Sequence, residues 1–112
     1  MKKIEAIVQP FKLEAVREAL TAIGVDAITV SAVRGHGRQK GHSEVYRGHE
    51  YMVDLLPKIK LEIVVANPQA DEVVKSVAEA ARTGSVGGGK IFVYDVAEAI
   101  RIRNGDLGES AL

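Results

Sequence analysis

The sequence predicts an α+β domain of order βαββαβ, a four-stranded antiparallel sheet with both helices on one face and a long loop between strands two and three. Three observations predict it. An alternating apolar stretch opens the chain and runs into a stretch of helical period. The pair returns in the second half at an offset of 57 residues. Each copy is followed by one more strand-like segment, and such a doubled unit closes into the ferredoxin-like arrangement.

Lys3-Ile4-Glu5-Ala6-Ile7-Val8 alternates with period two, as a strand with one covered face does, and Pro10 ends it. Leu13, Val16, Leu20 and Ile23 then recur at three- and four-residue steps between Glu14, Arg17 and Glu18, an amphipathic helix that Gly24 can close. Ala27 to Val33, rich in Ile, Thr and Val, reads as the second strand. Lys60 to Val65 repeats the first strand nearly type for type, and Ala70, Val73 and Val77 repeat the helix positions Leu13, Val16 and Leu20. Ile91 to Val96 supplies the last strand. Ile4, Ala6, Val8, Leu61, Ile63 and Val65 face the helices in this reading. Ile7 and Val64 fall at equivalent positions of the uncovered face. They are either ordinary exposed aliphatics or the seat of another subunit or a flat apolar ligand.

The 112 residues fit one domain, 1–112. Fifteen basic side chains balance fifteen acidic ones, which gives a nucleic-acid backbone or anionic membrane no electrostatic reason to bind. An RNA-binding module of this fold would carry aromatics on the first and third strands, and there are none. The chain has no cysteine, no signal-peptide pattern and no apolar run long enough to span a bilayer, which makes the expected compartment the cytoplasm.

Three segments stand apart from the repeat. The stretch Gly35–Pro57, with 36–57 as its regulatory part, keeps no sustained period and is long for a connection. Its glycines, charges and tyrosines suit a recognition loop or a solvated hairpin extension. Segment 82–90 contains Thr83-Gly84-Ser85-Val86-Gly87-Gly88-Gly89-Lys90, where bare backbone can approach an anion beside a lysine. It is not a Walker loop, since Ile91 stands where Ser or Thr would hold magnesium and a strand follows; on spacing alone a plain hairpin connection fits it better. In segment 101–112, an extended Ile100-Arg101-Ile102-Arg103 would aim both guanidinium groups one way, either onto phosphates or into ion pairs of an edge strand. No nucleophile is paired with a base by a recognisable motif, which argues against an enzyme, including a small nucleotide hydrolase. His36, His42 and His49 match no compact zinc spacing and read as solvated loop residues.

Taken jointly, several motifs resemble the PII nitrogen regulatory signal-transduction family along essentially the entire chain. They are Pro10-Phe11-Lys12-Leu13, Gly37-Arg38-Gln39-Lys40-Gly41-His42, Tyr46-Arg47-Gly48, Glu50-Tyr51, Leu56-Pro57-Lys58, Ala81-Arg82-Thr83-Gly84, Gly89-Lys90-Ile91-Phe92-Val93 and Arg101-Ile102-Arg103. The resemblance implies a non-enzymatic homotrimer whose clefts between subunits bind ATP or ADP competitively. By similarity Ile7 and Val64 line the adenine pocket, and Thr29, Gly37, Arg38 and Gln39 hold the nucleotide. Gly87, Gly88, Gly89, Lys90, Arg101, Ile102 and Arg103 surround its phosphates. Mg²⁺, with Gln39 as protein ligand, would bridge ATP to 2-oxoglutarate, which Gln39, Lys40, Gly41, Lys58 and Gly87 would contact; amide and phosphate oxygens suit this hard ion. The ligand state would set the loop's conformation and so its choice of partner. Partners implied by the resemblance are an ammonium channel, which would bring the chain to the membrane without inserting it, a uridylyltransferase, an adenylyltransferase, a sensor kinase or an arginine-synthesis kinase. Tyr51 matches the family's uridylylation site, its alternative being a simple contact residue. Departures are Gln9, where Lys or Arg is common near the 2-oxoglutarate carboxylate, His36 for Phe, His49 for Ala or Ser, Gly88 for Asp, and Asn104 for Thr. A Gln9 that abolished the metabolite response would leave an adenylate-energy sensor.

Overall fold

The computed structural model describes residues 1–36 and 55–112 in full, and residues 43–46 and 49–52 by their backbone pairing. Its elements run β1 (Lys2–Val8), α1 (Leu13–Ala22), β2 (Thr29–Gly35), β3 (Ser43–Tyr46), β4 (His49–Met52), β5 (Leu56–Val65), α2 (Ala70–Ala81) and β6 (Gly89–Asp95). Four strands form one antiparallel sheet in the order β2-β5-β1-β6. With the two helices, this is the expected ferredoxin-like βαββαβ fold.

The internal repeat has a geometric counterpart. An offset of 57 carries Glu5 onto Glu62, and these two residues are also directly paired between β1 and β5. A local pseudo-twofold axis therefore passes between the central strands. The same offset carries the 3-10 turn Pro10–Lys12 that opens α1 onto the turn Asn67–Gln69 that opens α2. Each turn contains a proline near its start, where a missing N–H costs nothing.

Helix α1 ends in a Schellman motif: Val25 N–H donates to the Leu20 carbonyl at 2.9 Å and Gly24 N–H to Thr21 at 3.0 Å. Gly24 takes φ +82°, a left-handed conformation that glycine adopts without a Cβ penalty. Val25 is thereby drawn onto the core beside Leu20.

The core is the layer between sheet and helices. Ile4, Ala6, Val8, Leu61, Ile63 and Val65 supply the sheet side, and Val16, Leu20, Val73 and Val77 the helix side. All are buried, as the period-two and helical patterns require, and no polar or charged residue among the described ones is buried. Each large aliphatic buried here contributes about 1.5–3 kcal/mol.

Three sequence expectations shift. The second strand lies at Thr29–Gly35 rather than Ala27–Val33, because the αL turn at Gly24 is followed by a non-strand connection before pairing with β5 begins. The long loop contains a two-stranded hairpin, Ser43 pairing Met52 and Tyr46 pairing His49, the alternative its composition left open, although its sequence alternates too weakly to place the strands. Finally, β6 begins at Gly89, so the last two residues of the glycine-rich segment belong to the strand.

Candidate functional site

The end of β1, the start of β6 and the turn after α2 converge on one cleft of about 350 Å³. Arg82 leaves α2 in an extended conformation, and the chain turns back towards β6. Ser85 N–H donates to Thr83 Oγ1 at 3.3 Å, tightening the turn. Gly84, Gly87 and Gly89 have φ of +76°, +86° and +115°, which side-chain-bearing residues avoid. At Gly89 the constraint is also steric: a Cβ would lie 2.0 Å from the Ile7 carbonyl oxygen. A Cβ on Gly88 would lie 3.0 Å from Thr83 Oγ1. The turn thus presents bare backbone, the property an anion cradle needs.

Ile7, Gly88, Gly89 and Lys90 all line this cleft, with Thr83 and Ser85. Ile7 is paired with Lys60 on one side and Lys90 on the other, so two cationic residues flank it on the open face. Gly87 is reached from a third direction. Gln9 Nε2 donates to its carbonyl at 2.6 Å, and Lys58 Nζ to the same oxygen at 3.4 Å. Lys58 and Gly87, expected around one metabolite, are therefore neighbours, with Gln9 beside them.

Thr29 and Val64 line a different cleft of about 360 Å³, together with Lys3, Ile28, Glu62 and Leu112. Val64 lies four residues beyond Lys60, the partner of Ile7, and is thus roughly 13 Å from Ile7 along the strands. Ile7 and Val64 sit on one face but at opposite ends, related by the pseudo-twofold axis. A single chain does not bring them to one pocket; an adenine touching both needs two chains.

At one end of the open face Lys3, Glu5, Glu62 and Tyr94 are mutually tied. Lys3 Nζ lies 2.9 Å from Glu62 and 3.9 Å from Glu5, and 5.5 Å above the Tyr94 ring. The Tyr94 hydroxyl donates to Glu5 at 3.2 Å. Hydrogen bonding to Glu62 raises the Lys3 pKa, and the same bond holds the Glu62 carboxyl below its ordinary value. Donation to Glu5 pushes the Tyr94 phenol up.

The arginine segment departs from its expected extended form. Residues 102–104 make a turn, closed by an Ile100–Leu107 bridge and by Gly105 N–H donating to the Arg101 carbonyl at 2.8 Å. Ile100 and Ile102 are both exposed rather than buried as anchors, Ile102 being 99% exposed. The reason is local: Asn104 side-chain bonds to Asp106 and the left-handed Gly105 favour reversal over extension. Arg101 is held by Asp106 Oδ2 at 3.3 Å and by the Leu112 carbonyl at 3.1 Å, so it shares an element with the second cleft. Arg103 is exposed.

Gly37, Arg38, Gln39, Lys40 and Gly41 lie outside the described residues, as do His42, Arg47 and Gly48. Tyr51 is described by its backbone, paired with Glu44 in the hairpin.

Sequence reasoning passed over Phe92 and Tyr94. Both lie on the open face, since they pair with Glu5 and Lys3, and both are substantially exposed. The alternation Lys90, Phe92, Tyr94 against Ile91, Val93 was the available signal. Lys3, Glu62 and Leu112 as walls of the second cleft had no local signal; only pairing register and the C-terminal turn bring them together.

Fold and site define a small ferredoxin-like protein with an uncovered sheet face and a glycine-rich turn set among lysines. The comparisons narrow this class. The chain belongs to the nitrogen regulatory protein P-II family, whose model matches residues 1–106. It is 59% identical to the nitrogen regulatory protein P-II of Pasteurella multocida and 57% to that of Haemophilus influenzae. With nitrogen regulatory protein P-II 1 of Escherichia coli K12 it shares 56%. Each match covers 112 residues and the whole of both chains. Among the described residues no helix is long and apolar enough to cross a membrane.

Proposed function

We propose that this chain is a signal transducer of nitrogen, carbon and energy status that works as a cytoplasmic homotrimer, binding ATP or ADP competitively between subunits. With Mg-ATP it takes 2-oxoglutarate, and the loop 36–57 passes the ligand state to partner proteins under control by uridylylation of Tyr51. The observation that carries this reading is the glycine turn, where Gly89 admits no side chain and Lys90 and Ile7 share its cleft. Backbone so exposed can donate several N–H groups to phosphate oxygens while Lys90 offsets their charge.

The division of the nucleotide residues between two clefts supports assembly. Ile7, Gly88, Gly89 and Lys90 of one subunit would receive the phosphates and one side of the base. Thr29 and Val64 of a neighbour would cover the other side, with Arg101 bonded to Leu112 at its edge. Lys58 pairs with a carboxylate of 2-oxoglutarate, at a place where its ammonium already reaches the Gly87 carbonyl. Mg²⁺ suits a site in which phosphates supply most oxygens and Gln39 adds one amide oxygen. Partner regulation follows because Gln39 and its neighbours belong to ligand site and loop base at once. The partners we propose are those named above: an ammonium channel, a uridylyl- or adenylyltransferase, a sensor kinase or an arginine-synthesis kinase.

Calorimetric titration with Mg-ATP, then with 2-oxoglutarate in the presence and absence of nucleotide, tests the reading. Sedimentation of the same sample tests for a trimer of 12.0 kDa chains. Metabolite binding only after Mg-ATP is the expected result; absence of nucleotide binding overturns the assignment. One observation favours a second reading, an adenylate-energy sensor with no metabolite response. The neutral Gln9 spends a donor on the Gly87 carbonyl where a cation would otherwise face the metabolite. Nucleotide binding without 2-oxoglutarate binding would select it.

A further inference from the structure

We infer that Gln9 is a positioning residue that presets the glycine turn for its ligand. The observation is the 2.6 Å bond from Gln9 Nε2 to the Gly87 carbonyl, shorter than the 3.4 Å contact Lys58 makes with the same oxygen. Gln9 follows β1 directly and precedes the Pro10 turn, so its backbone is held on both sides by regular structure. Gly87 belongs to a turn whose left-handed glycines have little intrinsic preference for one conformation over another. A donor carried on an anchored backbone and bonded to a permissive one restricts the permissive one.

The consequence follows from peptide geometry. A trans peptide directs its C=O and N–H to opposite sides, and no cis peptide occurs among the described residues. A Gly87 carbonyl held towards Gln9 turns the Gly88 N–H to the other side, and Gly88 itself lines the cleft with Gly89 and Lys90. Flipping that peptide would present a carbonyl, which repels anions. Gln9 thus removes one conformational choice before the ligand arrives, and the ligand gains the ordering cost it no longer meets. Only a donor can do this, so the residue's role is separable from its size.

This inference rests on the nucleotide reading for its functional consequence but not for its structural one, and two measurements keep these apart. The first is ¹H–¹⁵N NMR of the ligand-free full chain, following the amide signals of Gly87, Gly88 and Gly89. The second is calorimetry with ADP, which avoids coupling to any carboxylate effector. In Gln9→Met, which keeps length and loses the donor, the glycine signals should broaden or double and ADP binding should weaken about fivefold, the worth of one neutral hydrogen bond. Gln9→Lys can donate to the same oxygen and should restore both. Unchanged glycine signals in Gln9→Met, unchanged ADP affinity in that variant, or a Gln9→Lys that behaves like it, each overturns the inference. Should the unaltered protein bind no nucleotide, the proposed function fails, while the glycine signals still decide whether Gln9 sets the turn.

Discussion

Replacing Gly89 by alanine tests whether the turn is bare because geometry forbids a side chain. Two costs combine. An alanine at φ +115° is strained by about 1–3 kcal/mol. Its Cβ would also lie 2.0 Å from the Ile7 carbonyl oxygen, against the roughly 3.5 Å of a comfortable contact, so β6 must withdraw where Gly89 pairs with Val8. Since that contact is backbone, no side-chain rotation relieves it, and the expected total is about 3–4 kcal/mol. Gly84→Ala is the control, because Gly84 shares a positive φ of +76° but a Cβ there meets nothing within 4 Å. It should cost only about 1 kcal/mol. Thermal unfolding followed by circular dichroism, at one fixed protein concentration, measures both. At about 4 °C per kcal/mol the melting temperatures should fall by roughly 12–16 °C and roughly 4 °C respectively. Equal losses in the two variants would show that the strand pair yields easily, and the steric argument for the cradle would be wrong.

Acid should lower stability through Glu62 and Asp95, whose carboxyls are held below their ordinary values by hydrogen bonds from Lys3 and Lys2. Their contributions are present above about pH 4.5 and 3.8 and are lost as pH falls through the lowered folded values. Lys3→Met should flatten the Glu62 part of a urea-midpoint profile; an unaltered profile would remove the pair from consideration. At the other extreme, Tyr94 and Lys3 have raised folded values, so their contributions are complete below about pH 10 and are lost as pH rises through them. Tyr94→Phe should lessen that alkaline loss in the same assay. Arg101→Ala should weaken ATP binding by roughly tenfold or more, the worth of a charge-assisted hydrogen bond, and calorimetry finding no change would exclude it from the phosphate site. Asp106→Asn, which loosens the 3.3 Å tie on Arg101, should raise hydrogen exchange at the Arg101 and Gly105 amides, and unchanged exchange would show that the turn holds without it.

Much of the fold was legible because one physical rule repeats in it. A strand covered on one side must alternate, and a helix covered on one side must repeat near 3.6 residues. Ile4, Ala6, Val8 and Val16, Leu20 therefore announced their burial, and the offset of 57 announced that it happens twice. The hairpin Ser43–Met52 was legible only as one of two alternatives for the loop, and its strands could not be placed, since side chains on a two-stranded ribbon need not alternate in polarity. Ile100 to Arg103 misled for a related reason: alternation of apolar and charged residues suggests extension, but Asn104 and Gly105 bend the backbone regardless.

By itself the sequence determined the doubled βαβ order, the composition of the core and the presence of a glycine-rich segment ending in lysine. These depend on short-range period and on residue type, which any one chain displays along its length. Only the tertiary structure decided that Gly89 is closed to a side chain by the Ile7 carbonyl, that Gln9 and Lys58 meet at Gly87, and that Ile7 and Val64 occupy opposite ends of one face. Those facts depend on strand register and on contacts between residues tens of positions apart, and register is an agreement between strands that neither strand carries alone.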